Sequence, residues 1–385
     1  MKCIAFYSEG GLVMTKKRKG LSALFFLALS LCIFAVLISD ADIAIGYMRA
    51  GLLLCSKVVV PSLFPFMVLS GLFVELGCAD LLARFLARPM RFLFGISGEG
   101  SAAPLMGALC GFPIGALTAN KLFLSGRISR EEMTRLMTFS NIPGSAFLIS
   151  AVGSALWSNQ KFGVVLYVVQ LISAMLIGVF LRILFPLKKS ELPKEKNEQV
   201  SIGIRTFSKV VSESAMSMVN VCALVLFFAS FVGALVSMLE GFGIEQGTVS
   251  LIYGFFEMSG AVGEAAKITP SELGLIYTAL ICGWSGLSVH FQVISVCTAD
   301  GISFLPYFCS KAVQSLLSAL GMLIYIRFID PTLPSRCVPA LAFGEYSGST
   351  ASAIAANAVL AVGIITHFLP RLAHRSCGHG HVRTK

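Results

Sequence analysis

Apolar residues run along this chain in long, nearly unbroken stretches rather than in alternation with polar ones. Residues 21–39 and 162–186 are the most continuous. Each matches the ~20 residues that cross a hydrocarbon core about 30 Å thick. In lipid the backbone N–H and C=O groups must pair within the protein, so a spanning segment is a helix or part of a closed barrel. A barrel would show alternating segments of about ten residues. The long runs therefore predict an all-α polytopic membrane protein.

Other segments follow the same pattern with interruptions. Residues 49–75 are broken by Pro61 and Pro65, and residues 133–156 by Asn141-Ile142-Pro143-Gly144. Residues 101–124 are interrupted at Cys110-Gly111-Phe112-Pro113-Ile114-Gly115. Residues 79–94 place Arg among Leu and Phe, which predicts a basic amphipathic helix on the cytoplasmic surface. Beyond a polar linker at 187–205 come apolar segments at 210–239, 248–266, 272–297, 303–328 and 346–368. The third-last and fourth-last are interrupted at Cys282-Gly283-Trp284-Ser285-Gly286 and at Glu257-Met258-Ser259-Gly260.

Charge decides the topology. The chain is 56% hydrophobic and only 13% charged, with a net charge of +10. The basic residues cluster beside the apolar runs: Lys16 to Lys19, Arg84/Arg88/Arg91, Arg127/Arg130/Arg135 and Lys188/Lys189/Lys194/Lys196. Clusters of this kind mark cytoplasmic loops, not a nucleic-acid surface. They all fall on one side only if residues 101–124 dip into the membrane and return. The expectation is a re-entrant hairpin with its tip at 111–115, followed by an out-and-back pair at 133–156 and 162–186. The basic tail, with Arg371, Arg375, Arg383 and Lys385, falls outside on this scheme and disagrees with the rule.

The order of segments repeats. Each half is expected to carry a Gly-broken hairpin that begins Cys-Gly-aromatic: Cys110-Gly111-Phe112 is paired with Cys282-Gly283-Trp284, and Ile128-Ser129 with Ile302-Ser303. This divides the chain into 1–42 (an N-terminal segment and first helix, with Met14 the expected initiator), a repeat at 43–186, a cytoplasmic linker at 187–209, a repeat at 210–368 and a basic tail at 369–385. The repeats begin on opposite sides, an inverted arrangement that recurs in secondary transporters.

Eleven cysteines lie mostly in apolar runs with no CxxC pair, so buried small apolar residues are expected rather than disulfides or zinc. The tail His374, Cys377, His379 and His381 is read as a basic tail, not a metal site. No HExxH, GxSxG or P-loop is present, so neither an enzyme nor a cofactor is expected.

Gly and Pro within apolar segments free backbone groups, and such breaks survive where they line a cavity. The candidate substrate-binding residues are therefore Gly111, Phe112, Pro113, Gly115, Lys121, Ser140, Asn141, Gly144, Ser145, Glu257, Ser259, Trp284, Ser285, Ser288, His290 and Gln292. Asn120 and Glu264 lie beside them. An ionisable group at membrane depth is a functional candidate by default, Glu257 above all. Each also has a plainer reading. Glu257 could sit near the membrane surface, and Lys121 could snorkel to it. His290 and Gln292 could bond between helices, and Phe112 and Trp284 could simply pack.

Five motifs in order resemble the YlbJ-type sporulation integral membrane proteins of the nucleoside-recognition (gate domain) superfamily. They are Pro61-Ser-Leu-Phe-Pro-Phe-Met-Val-Leu-Ser, Cys110-Gly-Phe-Pro-Ile-Gly-Ala, Ser140-Asn-Ile-Pro-Gly-Ser-Ala-Phe, Glu257-Met-Ser-Gly and Gly286-Leu-Ser-Val-His-Phe-Gln-Val, across roughly residues 43–328. The resemblance implies a fold like that of concentrative nucleoside transporters, with substrate held between two re-entrant hairpin tips. It implies transport of dipicolinic acid across the outer forespore membrane during sporulation. A nucleoside or nucleobase carrier and a non-transporting membrane scaffold are the alternatives. The family often carries Lys where this chain has Leu117, and the nearest Lys is Lys121. The partners implied are the lipid bilayer and an aromatic carboxylate or nucleoside; a coupling ion and a homo-oligomer are compatible with it.

Overall fold

The computed structural model describes residues 41–187 and 204–339, apart from 77, 146, 241 and 300, together with 27, 30–31 and 33–38. The expected last span at 346–368, the tail and most of the linker lie outside the described residues, as does most of the first span.

Every regular element among the described residues is helical. Among the described residues, four stretches are long and apolar enough to cross a membrane: Gln160–Leu184, Arg205–Met238, Ser271–Val296 and Leu305–Ile329. These match the expected segments at 162–186, 210–239, 272–297 and 303–328.

Helix α1 (Ala41–Leu54) passes through a π-helical turn (Cys55–Val59) into α2 (Val60–Glu75). The wider turn ends just before Pro61, whose ring has no N–H to give and clashes with the preceding helical turn. The expected amphipathic segment forms α3 (Cys78–Phe94). Next, α4 (Ala102–Cys110) and α5 (Ile114–Leu124) lie against each other as a helical hairpin. Its turn is made by Gly111 at φ 85°, a conformation that L side chains rarely adopt.

A capping box starts α6 (Arg130–Phe139): the Ser129 hydroxyl accepts from Glu132 N, and the Glu132 carboxylate accepts from Ser129 N. The helix stops at the expected break, and a π-helical segment (Phe147–Leu156) continues beyond it. Asn159 then caps α7 (Gln160–Leu184). Arg135 of α6 is buried. Its guanidinium donates to the carbonyls of Phe94, Leu181 and Phe185, and so ties down the C-terminal ends of α3 and α7. A cation suits the negative end of a helix dipole. The sequence placed Arg135 in a surface cluster; the structure uses it internally.

The second half begins with the long α8 (Ile204–Glu240). Then α9 (Gln246–Phe256) and α10 (Met258–Ala266) pack against each other as a second hairpin. Helix α11 (Ser271–Trp284) turns at Ser285 and Gly286, with φ of 75° and 80°, into α12 (Gly286–Val296). The last elements are α13 (Leu305–Ile324), a π turn (Tyr325–Ile329) and the short α14 (Leu333–Arg336).

One expectation is corrected here. The Cys282–Gly286 interruption was read as a hairpin, but α11 and α12 do not fold back on one another. The hairpin lies one element earlier, at Glu257. The matching order is therefore hairpin α4–α5 followed by a helix broken at 140–144, then hairpin α9–α10 followed by a helix broken at 285–286.

Candidate functional site

Each hairpin tip seats on the break in the helix that follows it. At the first, Phe112 N donates to Ile142 O at 3.0 Å, and Ala116 N donates to Asn141 Oδ1 at 2.9 Å. The Asn141 amide donates back to Met137 O at 3.0 Å. Side chain and backbone together satisfy the groups that the break frees. Gly107 and Gly115, one on each arm, let the Ser140 carbonyl nest between them; a Cβ at either would overlap its oxygen.

At the second tip a carboxylate does this work. Glu257 is 4% exposed. Its two oxygens accept from Ser259 N at 2.8 Å and Gly260 N at 2.7 Å, and so cap α10. Trp284 stacks on Phe255 with ring centroids 5.7 Å apart and donates Nε1–H to Phe255 O at 3.0 Å. Gly286 lies against the Phe256 and Glu257 backbone, where a Cβ would come within 3.0–3.1 Å.

A cavity of about 140 Å³ lies where these two constructions meet. The first hairpin contributes Phe112, and the first break Gly144 and Ser145; the second tip contributes Glu257 and Ser259, and α12 contributes Gln292. Apolar walls come from Leu54, Val59 and Leu63 around the first π turn and from Val221 and Val225 of α8. Phe112 also packs against both hydrophobic cores of the molecule, at their seam.

Six of the sixteen sequence candidates thus line one cavity. The other ten support it or lie apart. Gly111, Pro113 and Gly115 shape the first tip. Ser140, bonded to Leu136 O, and Asn141 hold the first break. Trp284 and Ser285 hold the second break, Ser285 through Cys282 O. Ser288 accepts from Gln292 Nε2 at 3.3 Å. The His290 ring pairs its Nδ1 with Tyr307 Oη at 3.0 Å. Lys121 faces Glu213 of α8 at 3.4 Å and is not in the lining.

Sequence reasoning missed Lys311. It is fully buried in α13 and donates to Asn141 O at 2.7 Å and Gln314 Oε1 at 2.9 Å. A lysine inside an apolar span was the signal that could have found it. The apolar cavity walls carry no such mark, because in sequence they read like any lipid-facing stretch.

Helices that cross a membrane, hairpins seated on helix breaks and a shared cavity between them define a multi-pass integral membrane protein. The chain is 25% identical to the sporulation integral membrane protein YlbJ of Bacillus subtilis (strain 168), over 353 residues covering 81% of this chain and 85% of that one. That likeness supports the YlbJ-type assignment made from the motifs. No family model matches the chain, and no solved structure matches it.

Proposed function

We propose that this protein is a carrier, not an enzyme or scaffold, and that it moves a small single-ring organic solute through the cavity between its hairpin tips. Dipicolinic acid is the first candidate, at the outer forespore membrane during sporulation. The observation that carries the reading is the cavity itself, placed where two hairpin tips and the first break converge. A packing scaffold has no use for paired hairpins and broken helices around a cavity, whereas a solute path does. The two similar hairpin-and-break units are read as halves of an inverted repeat, in the manner of concentrative nucleoside transporters. Size narrows the solute class: a cavity of ~150 Å³ holds benzene, so about 140 Å³ suits one ring better than a ring with a ribose.

A second reading has its own support. The lining includes Glu257, Gln292, Ser145 and Ser259 but no basic side chain, which favours a neutral nucleobase over a dianion. Uptake into liposomes carrying the full chain separates these. Saturable dipicolinate uptake, lost in a Ser259→Val/Gln292→Leu variant and not competed by uracil, is the expected result. Competition by uracil would favour the nucleobase reading. No uptake of either by folded protein would return the chain to the scaffold class.

A further inference from the structure

The strongest unassigned feature is the seat of Lys311. Its ammonium rests on the Asn141 carbonyl, just past the C-terminal end of α6. Carbonyls there lack intrahelical partners and carry the negative end of the helix dipole. In carriers with discontinuous helices, unwound carbonyls and half-helix C-termini coordinate the coupling cation. Here a tethered nitrogen fills that position.

The seat is built. Gln314 gives the second oxygen, and its amide donates to Gln170 Oε1 at 3.3 Å. Gln170 also accepts from Ser318 at 3.1 Å and donates to Ala279 O at 2.9 Å. The network joins α13 to α7 and α11. The acceptors of Lys311, Asn141 O and Gln314 Oε1, are neutral oxygens, so loss of its proton strands no anion. The amine that remains keeps two hydrogens, enough for those two acceptors. The groups facing it are the Asn141 carbonyl at the break, Cys282 of α11, His290 of α12 and Gln314 of α13, with Gln170 of α7 reached only through Gln314. His290 Nε2 is buried without a hydrogen-bond partner.

We propose that Lys311 is the coupling group of the carrier: its nitrogen stands where a metal cation would bind, and the coupled ion is a proton taken up and released at Nζ. The step is a simple exchange, in which the Nζ lone pair takes a proton from water on one side and returns it on the other. The inference rests on the carrier reading above.

The test uses the full chain in liposomes with a trapped pH dye, dipicolinate or uracil as solute, and sodium or choline as the outer cation. The wild type should take up solute equally in both media and move protons with it. Lys311→Arg keeps a charge and donors but cannot lose its proton. That variant should still show a solute-induced rise in unfolding midpoint, yet lose gradient-driven accumulation by about tenfold or more. Lys311→Met, permanently neutral, should lose it as well. A sodium requirement in the wild type would overturn the coupling role alone, as would proton-driven accumulation by Lys311→Arg. A wild type that neither binds nor moves either solute in any medium would sink the carrier reading and the coupling role with it.

Discussion

The two hairpins meet the same demand by different chemistry. Each must satisfy backbone groups exposed where a helix is interrupted, in a medium that offers no water. The first does so mainly by close approach: Gly107 and Gly115 admit the Ser140 carbonyl, and Phe112 N reaches Ile142 O. The second uses side chains, with Glu257 on two amides and Trp284 on the Phe255 carbonyl. Backbone closure needs small residues and tolerates no growth. Side-chain closure puts an ionisable group in the cavity wall, where solute and solvent can act on it.

The largest effect should come from the first hairpin. Gly107→Ala or Gly115→Ala drives a methyl into the Ser140 carbonyl, which is backbone and cannot step aside. Overpacking of that kind costs ~3 kcal/mol, the upper end of the usual range, and the yield of folded protein in detergent should collapse. Gly46→Ala, which meets nothing within 4 Å, is the control. If Gly107→Ala expresses and unfolds like the wild type, the contrast between the hairpins is wrong.

Next is the second hairpin. Glu257→Ala strips the acceptors from two half-buried amides, a loss of about 2–4 kcal/mol. Glu257→Gln keeps one acceptor oxygen and should lose roughly half as much. Thermal unfolding of both variants beside the wild type measures the difference. Equal losses would mean that charge, not acceptor count, holds the tip. Trp284→Phe removes a single donor from Phe255 O while keeping the stack, and should lower stability by ~1 kcal/mol.

The smallest effect tests a carboxylate held by charge instead of backbone. Asp330, just past the stretch Leu305–Ile329, accepts from Lys161 Nζ at 2.7 Å and from the Thr332 hydroxyl at 2.6 Å. The Lys161 ammonium foremost, then that hydroxyl, pulls its carboxyl down to about 2. Its folded value lies below the ~3.9 of an unfolded Asp, so its contribution is present above pH ~4 and lost as pH falls toward 2. The unfolding midpoint should drop over that window, and less so in Lys161→Met. An identical pH profile in the variant would remove Lys161 from the account.

Much of this was legible in the residues. Long apolar runs announced the four spanning stretches among the described residues, and Asn141-Ile-Pro-Gly announced the first break because Pro and Gly side by side strongly disfavour a helix. The first hairpin was forced by charge placement. The second was misplaced because the Cys-Gly-aromatic likeness pointed to Trp284, while the true turn has neither Gly nor Pro at its tip. A glutamate that caps a helix from within looks, in sequence, like a lone charge in an apolar run. Lys311 went unseen for a related reason: the Asn141 carbonyl that it holds is 170 residues away, which no local pattern records.

The nesting of Ser140 between two glycines also bears on genetics. A screen for inactivating alleles will score Gly107 and Gly115 as severely as any cavity-lining residue, though neither lines the cavity. Phenotype strength along α4 and α5 will map how tightly two backbones touch. Only alleles that leave protein abundance normal will report on the cavity itself.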